Sequence, residues 1–170
     1  KRQIDYSKFD VDLMMFKRGG AFESLVPENV HIIPAPHYFE QLQLKKNQKL
    51  KDIYYRLKTS FLLRVNGLAK EKYHTEQIVY QSLRAHLENQ KKEYDCAIAY
   101  SQGMPTYYVS NQITAKKKLA WINCNYVATK YNKRYDAFCY QEMNHVVVVS
   151  DFIKDTLKKY PFYKKVEVIN

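Results

Sequence analysis

Apolar residues gather along this chain in two rhythms. Three unbroken runs, Cys96-Ala-Ile-Ala-Tyr100, Leu119-Ala-Trp-Ile122 and Val146-Val-Val-Val149, carry no polar alternation. That is how strands covered on both faces read. Val11-Asp-Leu-Met-Met-Phe16 and Val30-His-Ile-Ile33 predict two further strands upstream, and Val166-Glu-Val-Ile169 predicts one at the end. Between the runs the period changes to that of a helix. Leu50, Ile53, Tyr54, Leu57, Phe61 and Leu62 fall on one stripe, and Ile78, Val79, Leu83 and Leu87 form a shorter one. Ser150 is placed to cap a helix carrying Phe152, Ile153 and Leu157 and ended before Pro161. Alternating strand and helix predict an α/β, Rossmann-like fold: a mostly parallel sheet flanked by helices.

Composition narrows the class. The 170 residues are 46% hydrophobic with sixteen tyrosines, too apolar and aromatic for a disordered chain and enough for one core. No repeat, low-complexity tract or linker interrupts them, so residues 1–170 are expected to form a single domain. Four scattered glycines exclude dinucleotide and P-loop fingerprints. Cys96, Cys124 and Cys139 are odd in number and widely spaced, which argues against a disulfide framework or zinc site and for a reducing compartment. No apolar run approaches the length of a membrane span. Both ends look cut. Residues 1–8 read as the tail of a helix entering a strand, and Asn170 directly follows one. A missing first strand would leave a gap at the centre of the sheet.

The net charge of +11 is unevenly spread. Between Lys45 and Lys72 nine basic residues face only Asp52 and Glu71. One reading is a solvated helix whose stripe packs on the sheet. The other is a basic–apolar helix lying on an anionic membrane, with Lys45, Lys46, Lys49, Lys51 and Arg56 toward the lipid headgroups. A nucleic-acid surface is disfavoured, because no known reader element accompanies the charge. From Cys96 to Tyr135 there is no carboxylate, while Lys116, Lys117, Lys118, Lys130, Lys133 and Arg134 add positive charge. The window includes two strand ends, where open α/β sheets bind ligands, and its charge suits an anion.

Several constellations bear on chemistry. Asp10-Val-Asp12 resembles the metal-binding D-x-D of one class of sugar transferases, but opening a hydrophobic strand it reads as strand-start polarity. The five histidines show no ligand spacing, so no metal site is expected. No G-x-S-x-G elbow is present. Tyr100-Ser-Gln-Gly-Met-Pro-Thr106 leaves a strand and opens a helix with Pro105 near its start. Its N–H groups suit hydroxyls or phosphate, although a tight turn needing glycine reads the same way. Asn123-Cys-Asn-Tyr126 closes the next strand, and its amides suit sugar hydroxyls or turn capping.

Taken in order, Tyr94–Thr106, Lys117–Tyr126, Val146–Ser150 and Lys165–Asn170 resemble the amino-terminal half of GT-B glycosyltransferases. The likeness is to the retaining group 1 (family 4) kind that builds bacterial cell-surface glycans. Phe9–Phe16 and Pro27–Ile33 are similar to that family's second and third strands. The resemblance implies the acceptor-binding domain of a cytoplasmic enzyme, peripheral at the inner face of the membrane. Such an enzyme moves a sugar from a nucleotide donor to a polysaccharide or lipid-linked glycan. The donor is a substrate held mainly by a second domain, and neither metal nor cofactor is needed. By the same resemblance Ser101, Gln102, Gly103, Thr106 and Asn125 would contact acceptor or phosphate. Asn123 stands where relatives carry a histidine that contacts the donor sugar near the reaction centre, which would make it the catalytic residue of this half, and Asn125 stands where they carry an aspartate. The family's glycine-rich first loop and its paired glutamates are absent. The rival expectation is a non-catalytic basic α/β module on an anionic membrane or nucleic acid.

Overall fold

The computed structural model describes residues 4–36, 50–70, 72–87 and 89–169. They form an α/β fold with parallel sheets flanked by helices, Rossmann-like in type. The chain divides into two compact units, Lys1–Arg56 and Leu57–Asn170.

In the first unit, β1 (Val11–Met14) and β2 (Val30–Ile33) form a two-stranded parallel sheet. Its register sets Val11 against Val30 and Asp12 against His31. Ahead of β1 the chain makes a turn over residues 6–8 and not the expected helix tail. The Asp5 carboxylate accepts from the Ser7 N–H and hydroxyl, and its carbonyl accepts from the Lys8 and Phe9 N–H groups. An aspartate that bonds the backbone two residues on stabilises a turn in competition with a helix.

In the second unit, β3 (Tyr94–Ala99), β4 (Ala115–Ile122), β5 (His145–Val148) and β6 (Val166–Val168) form a parallel sheet in that order. Its helices are α2 (Thr75–Leu83), α3 (Met104–Gln112), α4 (Lys133–Gln141) and α5 (Asp151–Thr156). Val109 of α3, Tyr140 of α4, Ile153 of α5 and Leu157 just after it share one core with Ala97, Ala99, Ala120, Ile122, Val146, Val148 and Val166. Every second residue of each strand thus points to the helical side. Ser150 caps α5 as expected, its hydroxyl accepting from the Ile153 N–H. The expectation of strands covered on both faces fails at β3. Cys96 and Ile98 point away from the core and are exposed, Ile98 by 52%. An edge strand reads as an apolar run when its second face is bare as well as when it is covered.

The helix α1 (Leu50–Leu68) contains the predicted stripe, with the opposite side inward. Leu50, Leu57, Phe61 and Leu68 are 85%, 66%, 63% and 90% exposed, while Asp52, Tyr55 and Thr59 are buried. Thr59 and Ser82 of α2 share a hydroxyl–hydroxyl hydrogen bond of 2.7 Å, and the Lys58 ammonium donates to the Ser82 carbonyl. Buried hydroxyls that satisfy each other can hold a helix by its polar side.

Candidate functional site

The loops leaving β3 and β4 stand side by side because the two strands are parallel neighbours in register, Ala99 against Ala120. Hydrogen bonds join them. The Asn123 amide nitrogen donates to the Tyr100 carbonyl at 3.0 Å, and the Asn123 backbone N–H donates to Gln102 Oε1 at 3.2 Å. Tyr100 and Trp121, from the two strand ends, bring their rings within 5.2 Å of one another. Asn123 is exposed and Gln102 half-buried, so both are at a surface rim.

Gly103 makes the turn into α3. Its φ of +81° lies in the left-handed region, where a side chain is strained. A Cβ there would also run into the Glu76 carboxylate and the Tyr131 hydroxyl. Glu76 Oε2 accepts from the Met104 N–H at 3.3 Å and from the Tyr131 hydroxyl at 3.0 Å. A carboxylate of the protein therefore occupies the start of α3, where the sequence suggested incoming hydroxyls or phosphate or a tight glycine turn. The helix dipole and orphan N–H groups favour an anion at that point, and Glu76 supplies one. Its partner from the other direction is His74, which caps α2 through Nδ1 and lies 4.3 Å, ring to ring, from Tyr131.

The remaining expected site residues serve the loops. Thr106 is fully buried and its hydroxyl donates to the Ser101 carbonyl at 2.9 Å. Ser101 in turn donates to the Gln102 carbonyl. The Asn125 side chain accepts from the Ala128 N–H and so caps a short turn. Lys133 is directed inward: its ammonium donates to the Tyr126 and Thr129 carbonyls and lies 4.0 Å from the centre of the Tyr126 ring. Burial lowers its pKa from the ordinary lysine value. Lys51 is exposed and Arg56 half-buried on α1, whereas Lys45, Lys46 and Lys49 lie outside the described residues.

Beneath the rim is a knot of buried polar groups. Asp136 accepts from the Tyr107 hydroxyl at 2.5 Å, the Gln77 amide at 2.7 Å and the Tyr126 hydroxyl at 3.0 Å. Burial holds its carboxyl above the ordinary value, although each of these donors pulls the other way. No family model, curated protein or solved structure matches this chain. The site must therefore be read from its own chemistry.

That chemistry is a rim of amides, a carboxylate and phenols, with the free thiol of Cys124 between the two asparagines. Burial raises the Cys124 thiol, nearest in sequence to the rim asparagines, above its ordinary value. Sequence reasoning missed Glu76, because it reaches the α3 turn from twenty-seven residues before Gly103 in the chain. The capping pattern of His74 and Gln77 around it was the available signal. A second juxtaposition was missed too. Asp10, Asp12 and His31 converge at one side of the β1–β2 pair.

Proposed function

We propose that this chain is the acceptor-binding half of a glycosyltransferase, which transfers a sugar from a nucleotide donor to a cell-surface polysaccharide or lipid-linked glycan. The observation that carries the reading is the shared rim, where the Asn123–Gln102 and Asn123–Tyr100 bonds join the two loops and the Tyr100 ring meets that of Trp121. Amides both donate to and accept from hydroxyls, and an exposed aromatic ring suits the apolar face of a sugar. Glu76 adds a carboxylate that can accept from an acceptor hydroxyl, as binding or base chemistry requires. With Glu76 already at the α3 turn, the ligand favoured at that point is a hydroxyl-bearing sugar and not a phosphate. The transfer itself would follow when a donor-binding half closes over the rim, orienting the acceptor and excluding water.

The test is transfer of label from a panel of radiolabelled nucleotide sugars to lipid-linked acceptors by the native enzyme. Gln102→Ala and Asn123→Ala should each reduce kcat/KM at least tenfold, chiefly through the acceptor KM. Unchanged kinetics in both variants would dismiss the rim as the acceptor site.

A second reading, a basic module docking on an anionic membrane, is favoured by the outward apolar stripe of α1 beside Lys51 and Arg64. Apolar contact and attraction to anionic headgroups act together on such helices. No helix of the described residues is long and apolar enough to cross a membrane, so the contact would be interfacial. Flotation with phosphatidylglycerol vesicles checks it: Leu57→Glu/Phe61→Glu should abolish co-flotation, and retained co-flotation would remove α1 from the contact.

A further inference from the structure

We propose that Asp10, Asp12 and His31 form a binding site for a divalent transition-metal ion of the Zn2+ type. The inference is independent of the glycosyltransferase reading, since it rests on the β1–β2 pair alone.

The placement follows from strand geometry. Asp10 and Asp12 are two residues apart, so their side chains leave the chain on the same face at the start of β1. The parallel register sets His31 of β2 directly against Asp12. One imidazole nitrogen and two carboxylate oxygens therefore lie within 4.8 Å of one another. Among the described residues this is the one group of three such side chains gathered closely enough to share an ion.

The separations suit a metal. His31 Nδ1 is 3.4 Å from an Asp10 oxygen and 3.6 Å from an Asp12 oxygen. A direct N–H···O bond would bring such a pair to about 2.9 Å. Ligand atoms about 2.1 Å from a tetrahedral ion stand roughly 3.4 Å apart. The two His31–carboxylate separations are therefore close to those between neighbouring ligands of such an ion. The Asp12 side chain is just 6% exposed, which places one carboxylate of the set largely out of water. Asp10 and His31 are about two-thirds exposed, which leaves an entry path.

Donor type decides the class of ion. One imidazole with two carboxylates is a mixed nitrogen–oxygen set, better suited to Zn2+ and its neighbours than to the all-oxygen shells of Mg2+ or Ca2+. Three protein ligands leave a fourth position for water or an exogenous ligand, the arrangement of ions that bind or activate and not of closed structural sites. Asp10 is also part of the wall of an open cavity of about 370 Å3, which Ser7, Lys8 and Asn29 help to line.

The experiment is calorimetric titration of Zn2+ into the whole chain, free of affinity tag and with its cysteines kept reduced by a phosphine. One equivalent should bind with micromolar affinity, and Asp10→Asn and His31→Ala should each weaken it at least tenfold. Both positions are exposed, so the variants should keep the wild-type circular dichroism. Co2+ provides a readout that needs no variant. Bound at this site it should show weak visible bands without the intense near-ultraviolet absorption of a thiolate ligand. Absence of saturable binding at millimolar Zn2+, affinity unchanged in both variants, or a thiolate band would each overturn the proposal.

Discussion

Two carboxylates in the larger unit accept hydrogen bonds from tyrosines, and their surroundings differ. Asp136 is buried, with three donors aimed at it from α2, α3 and the turn after β4. Glu76 is half-buried at the rim, with one backbone N–H and one phenol on a single oxygen. Gln77, the next residue in the chain, reaches the Asp136 knot and also bonds the Asn132 backbone in both directions. One turn of α2 thus supplies both sites. The buried acid ties three elements together and its removal should be felt as stability. The rim acid is within reach of solvent and its removal should be felt as recognition.

The largest effect that would break this contrast is at the knot. Asp136→Leu leaves the Tyr107 and Tyr126 hydroxyls buried without their acceptor and takes one of the Gln77 amide's two acceptors, and should cost about 3 kcal/mol or more in urea unfolding. Glu76→Ala, by the same assay, should cost less than about 1 kcal/mol. Equal losses at the two positions would erase the distinction.

A smaller effect is expected at Gly103. Gly103→Ala forces a side chain into positive φ and against the Glu76 carboxylate, for a loss of roughly 1–3 kcal/mol. In Glu76→Ala/Gly103→Ala the collision with the carboxylate is relieved while the Tyr131 hydroxyl contact and the backbone strain remain, so the double variant should recover only part of the loss. A fully additive pair in chemical denaturation would mean that carboxylate and glycine do not meet.

Smaller again is a dependence on pH. Burial raises the Asp136 carboxyl above its ordinary 3.8, so the fold holds that proton more tightly than the unfolded chain does. The stability this contributes is complete below about pH 3.8 and is lost as pH rises through the folded-state value. Asp136→Asn cannot titrate. The stability of wild type relative to that variant should therefore fall with rising pH across this window, as thermal melts at stepped pH would record.

Much of the fold was legible in the sequence because strands and helices announce themselves by period. The runs at 96–100, 119–122 and 146–149 became β3, β4 and β5 with ends shifted by a few residues. Parallel pairing then fixed the rim, since strands wound the same way present their carboxyl ends together. What periodicity does not carry is the identity of the covering partner. The stripe of α1 was visible as a stripe, yet its outward direction depends on Thr59 meeting Ser82, a contact between two helices. Thr106 and Asn125 were legible as polar loop residues, but their hydroxyl and amide are used on neighbouring backbone groups. Glu76 and His31 were missed for one reason: each acquires its partners only when distant segments are brought into register.

The central claim is that the strand-end rim of the larger unit holds a sugar acceptor. Titration of the isotopically labelled chain with oligosaccharides, followed by amide chemical shifts, tests it most directly. Saturable shifts confined to residues 100–104, 123–126 and the neighbourhood of Glu76, lost in Gln102→Ala/Asn123→Ala, are the predicted result. Saturable shifts centred elsewhere, or shifts that survive that double substitution, would contradict it.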